Sequence, residues 1–216
     1  MAARVKICGI RTAEALGAAL QARADLVGLV FFPPSPRNIS VEEAEPLAEY
    51  ARGFAAVVAL VVDADDALLE RIVAAVNPDM LQLHGSETPA RVAEIRDRFG
   101  KPVMKAIKVG TAEDAEAALA YRNIADLILF DARPPKDADR PGGHGAVFDW
   151  NVLAGVRDKV PFMLSGGLTP ENVAEAIQAT GATAVDVSSG VETAPGVKNP
   201  GLIRAFIRAA KSAPQT

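Results

Sequence analysis

Cysteine, histidine and tryptophan are all scarce: one Cys, two His and one Trp in 216 residues, with aromatics only 5% of the chain. A single thiol, Cys8, cannot close an internal disulfide, so nothing points to an oxidising compartment. Neither histidine shares a local motif with the cysteine, so no cluster has metal-ligand spacing and no metal site is expected. Basic charge is short as well. Lys+Arg number 23 against 27 Asp+Glu, giving a net charge of −4 and no basic run. That argues against a nucleic-acid partner, because phosphate-backbone binding needs a basic patch. No segment approaches about 18 uninterrupted apolar residues, and the opening "MAARVKICGIR" lacks a signal-like apolar stretch, so no membrane partner is expected and the location is read as cytoplasmic.

What the chain has is a repeated unit. Half of its residues are hydrophobic, enough for a large core. Eight short apolar runs read as strands: VKIC (5–8), LVGLVF (26–31), AVVALVV (56–62), MLQLH (80–84), VMKAIKV (103–109), LILFD (127–131), FMLS (162–165) and AVDVS (184–188). Each is followed by a segment with apolar residues at helical spacing, such as "DDALLERIVAAV". The repeat of about 26 residues suits one βα unit. Eight such units predict an α/β fold, a (β/α)8 TIM barrel with eight parallel strands, over residues 1–216 as a single domain. A doubly wound open sheet usually has fewer strands. Ser40 and Glu43 have capping-box spacing, Thr169-Pro170 reads as an N-cap and first helical residue, and Pro46 predicts a helix that starts or kinks there.

Barrel chemistry gathers at the carboxyl ends of strands. Several of these ends are polar: Cys8, His84, Asp131, Ser165 and Ser188. Alternation puts Lys6 and Cys8 on the inward face of the first strand. Lys6 is open to two readings, a cation favouring the thiolate or an ion-pair partner for Asp186. Cys8 itself is either a small buried hydrophobe or a reactive group at the rim.

The loops add an anion signal. "LSGGLTPEN" after the seventh strand and "SSGVE" after the eighth carry Gly166, Gly167, Ser189 and Gly190 where barrels commonly bind phosphate, so these residues are expected to form a phosphate site. The proline-dense "FFPPSPRNIS" is expected to hold the Arg37 guanidinium for bidentate carboxylate binding, the alternative being a surface arginine. "DARPPKDADRPGGHGAVFDW" has the makings of a mobile lid over 132–148, with Gly143 and Gly145 expected on the substrate and His144 expected in solvent.

Together, "KICGI", "GLVFFPPSPRNIS", "LQLHG", "ILFDAR", "GGHGAVFDW", "LSGGLTPENV" and "VDVSSGVE" resemble the phosphoribosylanthranilate isomerase (TrpF-type) family over nearly the whole chain. The resemblance implies a cofactor-free Amadori rearrangement of a phosphoribosyl substrate in tryptophan biosynthesis. It matches Cys8 to the general base, Asp131 to the general acid and Arg37 to the residue near the anthranilate carboxylate. His84 joins the substrate-binding set, and the two glycine loops become the phosphate cradle. Asn38 and Ala146-Val147 depart from the family pattern, which bears on lid contacts and affinity. Three other readings stand beside this one: an isomerase that also serves histidine biosynthesis, a Schiff-base aldolase using Lys6 or Lys105, and a barrel that only binds phosphate ligands. The chain is expected to work as a monomer or a homodimer.

Overall fold

The computed structural model describes residues 2–133 and 148–214. Eight parallel strands close into a barrel in sequence order: β1 (Arg4–Cys8), β2 (Leu26–Phe31), β3 (Ala56–Val61), β4 (Met80–Leu83), β5 (Val103–Val109), β6 (Leu127–Ala132), β7 (Phe162–Leu164) and β8 (Ala184–Val187). The expected runs match to within a residue at either end. Around them lie α1 (Ala13–Gln21), α2 (Val41–Ala51), α3 (Asp66–Ala75), α4 (Pro89–Phe99), α5 (Ala112–Glu116), α6 (Val173–Thr180) and α7 (Pro200–Ser212). A short antiparallel hairpin, β9 (Glu192–Ala194) and β10 (Val197–Lys198), stands between β8 and α7; the sequence pattern gives no sign of it. No helix among the described residues is long and apolar enough to cross a membrane.

Strand alternation divides the apolar residues into two layers. Outward residues such as Val5, Ile7, Val27, Leu29, Leu81, Ile128 and Phe130 join the helices in one buried cluster. Inward residues Leu26, Val58, Met104, Leu127, Leu129 and Met163 fill the lower barrel, while Cys8, Val30 and Leu60 cluster near its carboxyl rim. The polar interior residues Lys6, Gln82 and Asp186 are also buried.

Local signals explain most of the helix starts. Ser40 and Glu43 form the reciprocal capping box, and Thr12, Asp65, Thr88 and Asn199 each accept an amide of the first turn. Two expectations shift. Helix α2 begins at Val41 and runs through Pro46, because the capping box and the buried face of Ala44, Leu47, Ala48 and Ala51 outweigh one missing amide. Thr169 caps a turn instead of the helix: its hydroxyl accepts the Glu171 amide at 3.2 Å, and α6 starts at Val173 with Asn172 before it.

At the amino end of the barrel one contact occurs three times. The aspartate just before β2, β4 and β6 (Asp25, Asp79 and Asp126) accepts the amide of Val5, Val57 and Val103, respectively, at 2.7–2.8 Å. Each aspartate thereby ties the strand it precedes to the start of the strand before it.

Phe206 on α7 is fully buried, whereas Phe54 is 73% exposed. Phe206→Ala is expected to cost about 3–5 kcal/mol in urea denaturation. Phe54→Ala should stay within about 0.5 kcal/mol of the parent. Equal losses in the two variants would contradict the assigned core.

Candidate active site

Cys8 ends β1 and is 4% exposed; Asp131 near the end of β6 is 6% exposed. In the closed ring β6 lies three strands from β1 by way of β7 and β8, so the thiol and the carboxyl occupy separated parts of one rim. The carboxyl does not stand alone. His84, the residue after β4, places Nε2 3.2 Å from Asp131 Oδ2, close but not aligned as a hydrogen bond. Its Nδ1 lies 3.0 Å from the Gln82 amide nitrogen, so in this orientation Gln82 donates and the ring proton sits on Nε2, facing Asp131. Asp131 Oδ1 accepts its neighbour's amide, Ala132, at 3.0 Å.

The two readings of Lys6 resolve toward the ion pair. Its ammonium donates to Asp186 Oδ1 at 2.9 Å, with Lys6 and Asp186 directly paired across β1 and β8. Ser165 donates to the other oxygen, Oδ2, at 3.2 Å. Burial alone would lower the Lys6 pKa, but Asp186 and Cys8 raise it beyond the usual lysine value. The simple expectation for Cys8 needs correction. Burial pushes its thiol up, and Lys6, Asp186 and Lys198 follow as lesser influences, the two lysines pulling down and the aspartate pushing up. The net direction is upward, so Lys6 assists the thiolate without making it the resting form near neutral pH.

Arg37 departs furthest from expectation. It is neither on the surface nor holding its fork open for an outside carboxylate. The side chain is 5% exposed, and Nε and Nη2 donate to Glu192 Oε1 and Oε2, both at 2.8 Å. The bidentate geometry that the prolines suggested is used within the chain, on a residue of the unforeseen hairpin. Lys198 joins the cluster, donating to Glu192 Oε1 at 2.7 Å and to Ser188 O and Oγ at 2.9 and 3.1 Å. Among the described residues, this corner of the rim gathers two cations, Arg37 and Lys198, around the Glu192 carboxylate, and burial lowers the Lys198 pKa.

The glycine loops take the positions expected of them. Gly166 and Gly167 follow β7 with φ of +86° and +63°. A Cβ at Gly190 would sit 1.9 Å from the Leu168 carbonyl, so the turn after β8 (Ser189–Val191) packs directly on the β7 loop and only glycine fits there. The two loops therefore form one continuous floor beside β7 and β8. Gly143, Gly145 and His144, and with them most of the expected lid and Ala146-Val147, lie outside the described residues.

Lys105 points away from the barrel interior. Its ammonium donates to Glu87 Oε2 and Gly85 O, each at 2.8 Å, and the phenol of Tyr121 donates to Glu87 O. This buried pair braces the loop that carries His84. The residues that sequence reasoning missed are Gln82, Glu87, Glu192 and Lys198. Only Gln82 had an advance signal, sharing the inward face of β4 with His84; Glu87, Glu192 and Lys198 had none in the local sequence. Among the described residues, no group of three or more His, Cys, Asp or Glu side chains could hold a metal.

Fold and rim together define a parallel (β/α)8 barrel with a thiol, a carboxyl and two packed glycine loops at one end. Comparison with known proteins narrows the class. The family model described as N-(5'phosphoribosyl)anthranilate (PRA) isomerase matches residues 5–209. The chain is 57% identical over 216 residues to the N-(5'-phosphoribosyl)anthranilate isomerase of Rhodopseudomonas palustris (strain HaA2), covering 100% of this chain and 99% of that one. Among solved structures, phosphoribosyl anthranilate isomerase from Thermotoga maritima superimposes with a TM-score of 0.88 at 38% identity, covering 97% and 98% of the two chains. A phosphoribosyl anthranilate isomerase in complex with reduced 1-(o-carboxyphenylamino)-1-deoxyribulose 5-phosphate gives a TM-score of 0.85 at 37% identity, with the same coverage. The chain belongs to the N-(5'-phosphoribosyl)anthranilate isomerase family, and it is an isomerase.

The buried pairs carry a pH dependence. Burial pushes Glu87 and Glu192 up, but Lys105 in the first case and Arg37 with Lys198 in the second hold them below the ordinary carboxylate value of 4.5. Each binds fewer protons folded than unfolded, so its stabilisation is complete above that value and is lost as pH falls through the depressed folded one. The urea midpoint should therefore hold from pH 7 to about 5.5 and then decline. Glu87→Gln should lower stability at pH 7 and flatten the acid decline; an undiminished decline would contradict the assignment.

Proposed function

We propose that the chain converts N-(5-phosphoribosyl)anthranilate into 1-(2-carboxyphenylamino)-1-deoxyribulose 5-phosphate in L-tryptophan biosynthesis. The observation that carries this reading is the placement of Cys8 and Asp131 at separate points of one rim that also holds the glycine floor. Family membership supports it, as does the reduced 1-(o-carboxyphenylamino)-1-deoxyribulose 5-phosphate held by one of the similar solved isomerases. On this reading the chain is one barrel domain acting in the cytoplasm.

Asp131 in its protonated form donates to the furanose ring oxygen, the C1–O bond breaks, and the nitrogen lone pair forms the C1=N bond of a Schiff base. Cys8 as thiolate then removes the C2 proton, leaving an enolamine that tautomerises to the ketone. Ring opening and the proton transfers rearrange only the substrate's own electrons, so no external oxidant or reductant is required. His84, with Nε2 3.2 Å from Asp131 Oδ2, packs against the carboxyl. Because the Cys8 thiol is pushed up by burial, the base arises as a minority thiolate stabilised by Lys6 and Lys198. The phosphate is assigned to Gly166, Gly167, Ser189 and Gly190. Arg37 contributes charge to the anthranilate carboxylate end from its seat on Glu192, and Gly143 and Gly145 are kept as substrate contacts by sequence alone.

Two lysines were open as Schiff-base nucleophiles. Lys6 and Lys105 both donate their ammonium protons to buried carboxylates, which disfavours an aldolase. The deciding experiment is turnover of N-(5-phosphoribosyl)anthranilate by the purified chain, with rescue of a tryptophan auxotroph lacking this isomerase and, in parallel, of a histidine auxotroph. Rescue of the first only is expected, and no rescue of the first would overturn the reading.

Cys8→Ala and Asp131→Asn should each lower kcat by about 10² or more with little change in melting temperature. Near-parental kcat in Cys8→Ala, with a lowered melting temperature, would return the thiol to a packing role. Gly190→Val should abolish phosphate-dependent binding by driving a side chain into the Leu168 carbonyl. Retained affinity for inorganic phosphate in a folded Gly190→Val protein would move the phosphate elsewhere.

A further inference from the structure

The β9–β10 hairpin joins three pieces of the rim that come from distant parts of the chain. Glu192 accepts the Nε and Nη2 arms of the Arg37 fork and also Lys198 Nζ at 2.7 Å and the Gly196 amide at 3.2 Å. The three ammonium protons of Lys198 are used on Glu192 Oε1, Ser188 O and Ser188 Oγ. Ser188 in turn donates its hydroxyl to the Cys8 carbonyl at 3.1 Å. One unbroken path of hydrogen bonds thus runs Arg37–Glu192–Lys198–Ser188–Cys8, from the loop after β2, through the hairpin, to the ends of β8 and β1. The hairpin tip closes on the same loop. A Cβ at Gly196, with φ of +82°, would lie 2.4 Å from the Pro36 carbonyl, which also accepts Arg11 at 3.0 Å.

The side chains of Arg37, Glu192 and Lys198 are 5%, 4% and 2% exposed. Removing three charges from water is costly, and apolar packing of similar volume often serves stability as well or better. The cluster is therefore a poor fastener for its cost. What it provides, and apolar contact would not, is a fixed direction for each donor and acceptor at the rim.

We propose that Glu192 and Lys198 are positioning residues for the anionic ends of the substrate, with Glu192 setting the direction of the Arg37 guanidinium and, through Lys198, the register of Ser188 beside the Ser189–Gly190 floor. This rests on the proposed function for its turnover readout and for the placing of the substrate's two anionic ends. The sign of the effect separates positioning from simple electrostatics. Glu192→Gln removes a negative charge, so the field alone would strengthen anion binding, whereas lost positioning weakens it.

The experiment uses the full chain with Glu192→Gln and Glu192→Asp, the second keeping the charge but shortening its reach. Two quantities are read: KM and kcat with N-(5-phosphoribosyl)anthranilate, and the calorimetric Kd of inorganic phosphate. Both KM and the phosphate Kd are expected to rise about tenfold, the scale of one lost charge-assisted hydrogen bond, while kcat changes less than about threefold. Arg37→Ala combined with Glu192→Gln should have a KM no higher than Arg37→Ala alone. Unchanged or tighter binding in either variant, or fully multiplicative KM effects in the double variant, would overturn the proposal. Should melting curves show that Glu192→Gln does not fold, Glu192→Asp decides by the same two quantities. A parent chain without turnover would overturn the proposed function, and the phosphate Kd would still judge this inference.

Discussion

Closing the barrel brings a lysine and an aspartate into a dry interior, and much of the rim follows from how that contact is satisfied. Lys6 and Asp186 stand opposite each other at the seam where the first and last strands meet. Neither can be relieved by water, so each is useful only with the other, and removing one partner would strand a buried charge. The seam is thus matched in charge as well as in hydrogen-bond register. Because Ser165 takes the second aspartate oxygen, β7 is drawn into the same arrangement. The three strands that support the thiol and the glycine floor are therefore held by one polar knot.

The rim distributes its charge unevenly, and the difference fits the chemistry proposed for it. Near Cys8 burial outweighs the pull of Lys6 and Lys198, so the thiol pKa lies above the ordinary cysteine value. At the hairpin corner Arg37 and Lys198 both converge on Glu192. Asp131 and His84 form a third region, linked downward to Gln82 and braced from outside by Glu87 and Lys105. On the proposed reading, the substrate's carboxylate end would face Arg37, its phosphate the glycine floor, and Cys8 and Asp131 the atoms between.

Strand order and strand limits were legible in the sequence because a buried parallel strand leaves a short apolar run that local composition shows directly. Cys8, His84 and Asp131 were legible for a related reason, since a polar residue ending such a run has to sit at the rim. Arg37 was legible as a held guanidinium but not as to what holds it. Its partner is 155 residues away, on a hairpin whose strands of three and two residues are too short for any periodicity. Glu192 and Lys198 looked like ordinary solvated charges, and only the fold buries them. The raised Cys8 thiol was hidden for the same reason: an adjacent lysine is visible in sequence, whereas depth is not. Pro46 and Thr169 show the limit of local rules, one overridden by a buried helical face and the other used for a turn.

The three aspartates at the amino end of the barrel, Asp25, Asp79 and Asp126, bind strands in consecutive pairs and lie at the opposite end from every residue assigned to chemistry. The fourth pair, β7 with β8, has no such aspartate. Thr183 stands just before β8 instead, and its carbonyl accepts the Arg4 amide of β1. That pair is also the one whose upper end carries the polar knot and the glycine floor. The lower latches thus hold three strand pairs from the end away from the rim, whereas β7 and β8 are tied at the rim itself by Ser165 and Asp186, so a substitution there would act on the site and on stability together.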